Sequence, residues 1–89
     1  MDTSEEFCLF TFVSTHHAIQ AEKVLSENLD IKLIPVPRQI SVSCGLAIKF
    51  ACELKKTVEQ ILAKHDIPTS KYFRCLKEHG TLKIIESNR

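Results

Sequence analysis

Phe7-Cys8-Leu9-Phe10-Thr11-Phe12-Val13-Ser14-Thr15-His16-His17-Ala18 is the stretch on which the fold turns. Its first seven residues are mostly aromatic or β-branched, types that favour a pleated strand. Phe7, Leu9 and Val13 share one face and Cys8, Phe10 and Phe12 the other, so the strand is apolar on both sides. Ser14 and Thr15 are good N-cap residues. After them Ala18, Ala21, Glu22, Leu25 and Leu29 fall near one stripe, which predicts a helix from about His16 to Asn28. The period changes from two to 3.6 within a few residues, as in a βα unit.

Working outward, Ile31-Lys32-Leu33-Ile34-Pro35-Val36 reads as a second strand. Pro35 has no N–H to donate, which places that strand at a sheet edge. Pro37 to Gly45 is a connection. Leu46-Ala47-Ile48-Lys49-Phe50 alternates as a half-buried strand, with Leu46, Ile48 and Phe50 on one face. Leu54, Val58, Ile61, Leu62 and His65 recur at helical spacing and predict a helix from about Glu53 to His65, with His65 as a C-terminal cation or partly buried. Lys71 to Leu76 forms a fourth strand, Glu78-His79-Gly80 a turn, and Thr81 to Glu86 a fifth strand or an arm. The order β-α-β-β-α-β predicts an α+β split βαβ (ferredoxin-like) sandwich. Two helices cover one face of an antiparallel sheet, with an extra C-terminal strand as an option. Residues 1–89 form one domain, with its core at about 7–76 and a turn with a strand or arm at 77–89. The second apolar face also needs cover, because contiguous exposed apolar patches are unusual in monomers. A homodimer through the sheet is the preferred cover, and the folded-back C-terminal segment is the alternative.

Composition narrows the function classes. Apolar residues make up 44% and charged residues 26%, which excludes a disordered chain. Twelve Lys and Arg against eleven Asp and Glu argue against a general nucleic-acid binder. No apolar run reaches the roughly 20 residues of a membrane helix. The start, Met1-Asp2-Thr3-Ser4-Glu5-Glu6, is acidic and unlike a secretory signal, so the expected compartment is the cytoplasm. Cys8, Cys44, Cys52 and Cys75 are therefore expected as free thiols rather than a disulfide framework. They include no Cys-x-x-Cys pair, and no metal or other cofactor is expected.

One loop carries the chemistry. Cys44 is the only cysteine outside a predicted regular element or its immediate end, and it lies between Ser43 and Gly45. Gly45 would permit unusual backbone angles and close approach of a ligand. Successive N–H groups there could hold an anion, and Arg38 adds positive charge. Such surroundings lower a thiol pKa and expose a thiolate. The ordinary reading is a buried or surface cysteine beside a strand-starting glycine. Ser14, Thr15 and His16 form a second corner, at a helix N-terminus that favours anions. The ordinary reading there is an N-cap followed by solvated histidines. Cys8 and Cys75 read as small hydrophobes within strands. Cys52, eight residues from Cys44, is kept as a candidate resolving thiol.

The blocks Thr11 to Ala18, Ala21 to Leu25, Leu33 to Arg38 and Ser41-Val42-Ser43-Cys44-Gly45-Leu46-Ala47-Ile48 resemble a family of small bacterial domains. That family is described as selenium/sulfur (Se/S) carrier protein-like. The resemblance spans about residues 7–65, and the Ser-x-Ser-Cys-Gly and Ser-Thr-His blocks are its specific parts. It implies an intracellular protein in which Cys44 is the carrier thiol. It also implies partner proteins that donate and accept sulfur or selenium, a cysteine desulfurase-like donor among them. The expectation is a carrier or binding protein rather than a stand-alone enzyme. Arg38, Ser41, Ser43, Gly45, Ser14, Thr15 and His16 would surround the carried atom. The alternative is a noncatalytic module that binds a small anion or a protein through Arg38, Ser41, Ser43 and the Ser14–His16 corner. A third reading is a structural dimer built on the exposed sheet.

Overall fold

The computed structural model describes residues 4–38, 40 and 45–87. Within them the chain forms β1 (Glu5–Phe12), α1 (Thr15–Ser26), β2 (Lys32–Pro35), β3 (Leu46–Phe50), a 3-10 turn (Cys52–Leu54), α2 (Lys55–Lys64), β4 (Thr69–Glu78) and β5 (Thr81–Ser87). The strands lie in the order β2-β3-β1-β4-β5, and every neighbouring pair is antiparallel. This is the ferredoxin-like arrangement with a fifth strand added at one edge. The strand-or-arm choice at the C-terminus thus resolves as a strand. Glu78 pairs with Thr81, and His79 and Gly80 between them both have positive φ. That geometry suits a two-residue turn whose twist matches the flanking strands. Pro35 lies in the opposite edge strand, as its missing N–H requires.

The two faces of β1 feed two cores. Cys8, Phe10 and Phe12 join Ala18, Ala21 and Leu25 of α1 and Val58 and Leu62 of α2. The two alanines on α1 let that helix sit close to the sheet. Phe10 stacks on Phe50 with ring centroids 5.3 Å apart, a geometry that aromatic pairs favour. Removing a Phe or Leu of this kind from water contributes about 1.5–3 kcal/mol. On the other face Phe7 and Leu9 pack with Ala47, Phe73, Cys75 and Ile40. Ile40, a described residue between β2 and β3, is buried against this face. The C-terminal segment is instead paired within the sheet.

Three local features differ from the sequence reading. The second helix opens as a 3-10 turn, with Leu54 N–H donating to Ala51 C=O. His65 caps the end of α2 and is exposed, and Ile67 fills the core position beyond it. Between β1 and β4 the register slips, because two residues of β4 lie opposite Thr11. The Thr11 side chain is buried and bonds the backbone of Lys71 in both directions, at 3.0 and 3.4 Å. A bulge that would otherwise leave backbone groups unpaired is satisfied in this way.

Candidate functional site

The described members of the expected set, Ser14, Thr15, His16, Arg38 and Gly45, lie towards one end of the sheet. The last paired residues of β1 and β3 at that end are Thr11 and Ala47. Ser14, Thr15 and His16 therefore leave the sheet beside the point where Gly45 enters it. Pro35, the last residue of β2, pairs with Leu46 at the same end. The β2–β3 connection leaves at Val36 and returns at Gly45, and the Val36 N–H donates to the Gly45 C=O at 2.9 Å. Arg38 is exposed in a turn closed by the Ile40 N–H and the Pro37 C=O at 3.0 Å. The neighbouring core residue Ile40 fastens this connection to the sheet. Ser41, Ser43 and Cys44 lie outside the described residues.

The Ser14 corner is more committed than the sequence implied. Ser14 is the N-cap of α1, and its Oγ accepts from the His17 N–H at 3.3 Å. The same Oγ lies 2.9 Å from His17 Nδ1. Ser14 thus serves the helix and His17, a residue to which the sequence reading gave no role. Thr15 and His16 are exposed in a first turn that carries no acidic residue. The positive end of α1 and the Arg38 guanidinium hence share one end of the sheet. Gly45 needs none of a glycine's freedom, since its φ is not in the positive range and a Cβ would meet nothing within 4 Å among the described residues. The expectation of unusual backbone angles there is corrected. Among the described residues, open space remains beside that backbone.

The expectation of free thiols is overturned for two cysteines, because Cys8 and Cys52 form a disulfide with Cα atoms 5.1 Å apart. Cys8 pairs in register with Phe50, and the 3-10 turn that begins at Cys52 brings the chain back over β1. Spacing gave no hint of this, for the two are 44 residues apart in sequence. The β1–β3 pairing could have supplied one, since it sets Cys8 two residues from Cys52. The disulfide also corrects the pairing proposed for Cys52 with Cys44. Gly45 and Cys52 flank opposite ends of β3, whose five residues span about 17 Å. Cys75 is a free thiol with no exposed surface, and burial pushes its pKa up to about 11. That result agrees with the small-hydrophobe reading. Among the described residues no group of three or more His, Cys, Asp or Glu could hold a metal ion. No described helix is long and apolar enough to cross a membrane.

A cleft of about 260 Å³ opens at the other end of the sheet, lined by Glu5, Phe7, Asp30, Lys32, Lys49 and Ala51 among others. Its charges compensate one another, with Lys49 Nζ 3.2 Å from Glu5 and 4.5 Å from the centre of the Phe7 ring. It is remote from the Gly45 end. No curated protein and no solved structure matches the chain. One family model does match, over residues 7–74, leaving the end of β4, the turn after it, β5 and the chain ends outside. By that match the chain belongs to the family described as "Putative Se/S carrier protein-like".

Proposed function

We propose that the protein carries sulfur or selenium as a sulfane atom on Cys44. The observation behind this is the disposal of the other three cysteines. Cys8 and Cys52 are joined, and Cys75 is sealed in the second core with a raised pKa. A carrier needs a thiolate that larger partners can reach. Of the four cysteines, Cys44 alone is left for that work. Membership of the carrier-like family and the gathering of Arg38 and the α1 N-terminus at the Gly45 end support the same reading.

In the loading step the Cys44 thiolate attacks the outer sulfur of a donor protein's persulfide. A bond forms between Cys44 Sγ and that sulfur as the donor's S–S bond breaks, and the electron pair leaves with the donor thiolate. Cys44–S–SH results, with no oxidant consumed. In delivery a nucleophile on the acceptor attacks the outer sulfur, and the Cys44 thiolate is regenerated. Arg38 and the open backbone at Gly45 would steady the anionic terminal sulfur. His16 would supply a proton to the leaving thiolate. Rates of such exchange depend on thiolate fraction and access.

The test is mass spectrometry after incubation with a cysteine desulfurase, cysteine and no reductant. The expected product is one added sulfur on Cys44. An unmodified Cys44, with the desulfurase shown active on another acceptor, would sink the reading.

A further inference from the structure

The Cys8–Cys52 disulfide is asymmetric. Cys8 has no exposed surface, whereas Cys52 is half-buried at the start of the 3-10 turn. Cys8 Sγ also lies 3.1 Å from the Tyr72 hydroxyl. A disulfide sulfur has no hydrogen, so the hydroxyl is the donor. Tyr72 is held in the first core with its ring against Phe10, and Lys55 Nζ lies 4.5 Å from the ring centre. One cysteine is thus partly exposed, and the other is buried with its sulfur hydrogen-bonded by a fixed donor. These are the requirements of a directed exchange, because rate depends on which sulfur is accessible and on how well the leaving thiolate is stabilised.

We propose that Cys8–Cys52 is a second, independent thiol–disulfide exchange site that takes low-molecular-weight thiols as its reductant. The thiolate of the small thiol attacks Cys52 Sγ, and a mixed disulfide forms there. The Cys8–Cys52 bond breaks, and its electron pair goes to Cys8 as a thiolate that accepts the Tyr72 hydroxyl hydrogen bond. A second thiolate attacks the small-thiol sulfur of the mixed disulfide and releases Cys52. Two small thiols are oxidised to one disulfide, and the protein gains two electrons and ends with two thiols. Burial keeps the Tyr72 phenol protonated well beyond neutral pH, so the donor is present throughout. The proposal does not rest on the carrier reading, since this pair lies at the far end of β3 from Gly45.

The experiment uses the full chain purified without reductant, its accessible free thiols blocked with iodoacetamide. It is then treated with 2-mercaptoethanol at pH 7.5, quenched in acid and mapped by peptide mass. The expected result is an adduct on Cys52 and a rate that rises in proportion to thiol concentration. Tyr72→Phe should slow the step about fivefold, the scale of one lost hydrogen bond, in a chain that thermal melting shows to be still folded. Three results would each overturn the proposal. They are an adduct on Cys8, a rate that saturates at the rate of global unfolding, and four free thiols in the purified chain. An unchanged rate in a folded Tyr72→Phe variant would remove Tyr72 as the donor to the leaving thiolate and overturn the directed step. If that variant unfolds, the adduct position and the thiol dependence in the natural chain still decide the matter.

Discussion

The two ends of the sheet hold cysteines under opposite conditions. At the Gly45 end the chain enters β3 from a connection of prolines, serines and an exposed arginine, beside the positive end of α1. At the other end Cys52 follows β3 directly and is bonded to Cys8, under α2 and beside Tyr72. Cys44 adjoins the first end in sequence, and on the proposed reading its chemistry differs from that of Cys52. Access and neighbouring donors set the difference, and both come from where the strands end.

The largest test of this contrast is the sulfur-loading assay. Cys44→Ser should abolish loading, while Cys52→Ser should load at the natural rate because its sulfur lies at the other end. Loading that survives in Cys44→Ser and disappears in Cys52→Ser would reverse the assignment of the two ends.

Next in size is the clamp itself. The disulfide closes a sequence separation of 44, which in the chain-entropy description stabilises the fold by about 4 kcal/mol. Urea titrations of Cys52→Ala against the oxidised chain should show a loss approaching that size. A loss under about 1 kcal/mol would mean that packing alone holds the 3-10 turn against β1.

Cys75 gives a smaller, pH-dependent effect. Its folded pKa of about 11 exceeds the ordinary 9.0, so the folded chain keeps a proton that the unfolded chain has already lost. The stabilising contribution is therefore complete below pH 9 and falls away as the pH rises towards 11, by roughly 2 kcal/mol. Denaturant titrations across this window should show the decline, and Cys75→Ala should remove that part of it. An identical decline in Cys75→Ala would assign it to other groups.

Gly45→Ala should have the smallest effect on stability. Among the described residues a Cβ there meets nothing within 4 Å, and reducing the freedom of the unfolded chain gives a gain of about 0.4–1 kcal/mol. The useful readout is therefore loading, measured on a chain that is at least as stable. Slower loading would show that the carried atom or the donor approaches this backbone closely. Unchanged loading would leave Gly45 out of the site.

Much of this was legible in the residues. Alternation in Leu46 to Phe50, the helical spacing of Leu54, Val58, Ile61 and Leu62, and the run Phe7 to Val13 each state an element and its buried face. Such periodicity reports local geometry against a single core. His65 lies at the helix C-terminus, one of the two places expected for it, and is exposed rather than partly buried. Ile67, two residues on, takes the buried place by way of Asp66, whose φ is positive. Cysteine chemistry was only half legible. The polar setting of Cys44 is written in its neighbours, whereas the fate of Cys8 depends on a residue 44 positions away.

By itself the sequence determined the element order, the edge position of Pro35, two apolar faces on β1 and the single cysteine set in a polar connection. These follow from side-chain type and spacing along a short stretch. The tertiary structure alone decided that Ile40 packs on the second face, that Ser14 is held by His17, and that Cys8 meets Cys52 beside Tyr72. Each of these is a contact between segments that only strand pairing brings together, and no local period encodes it.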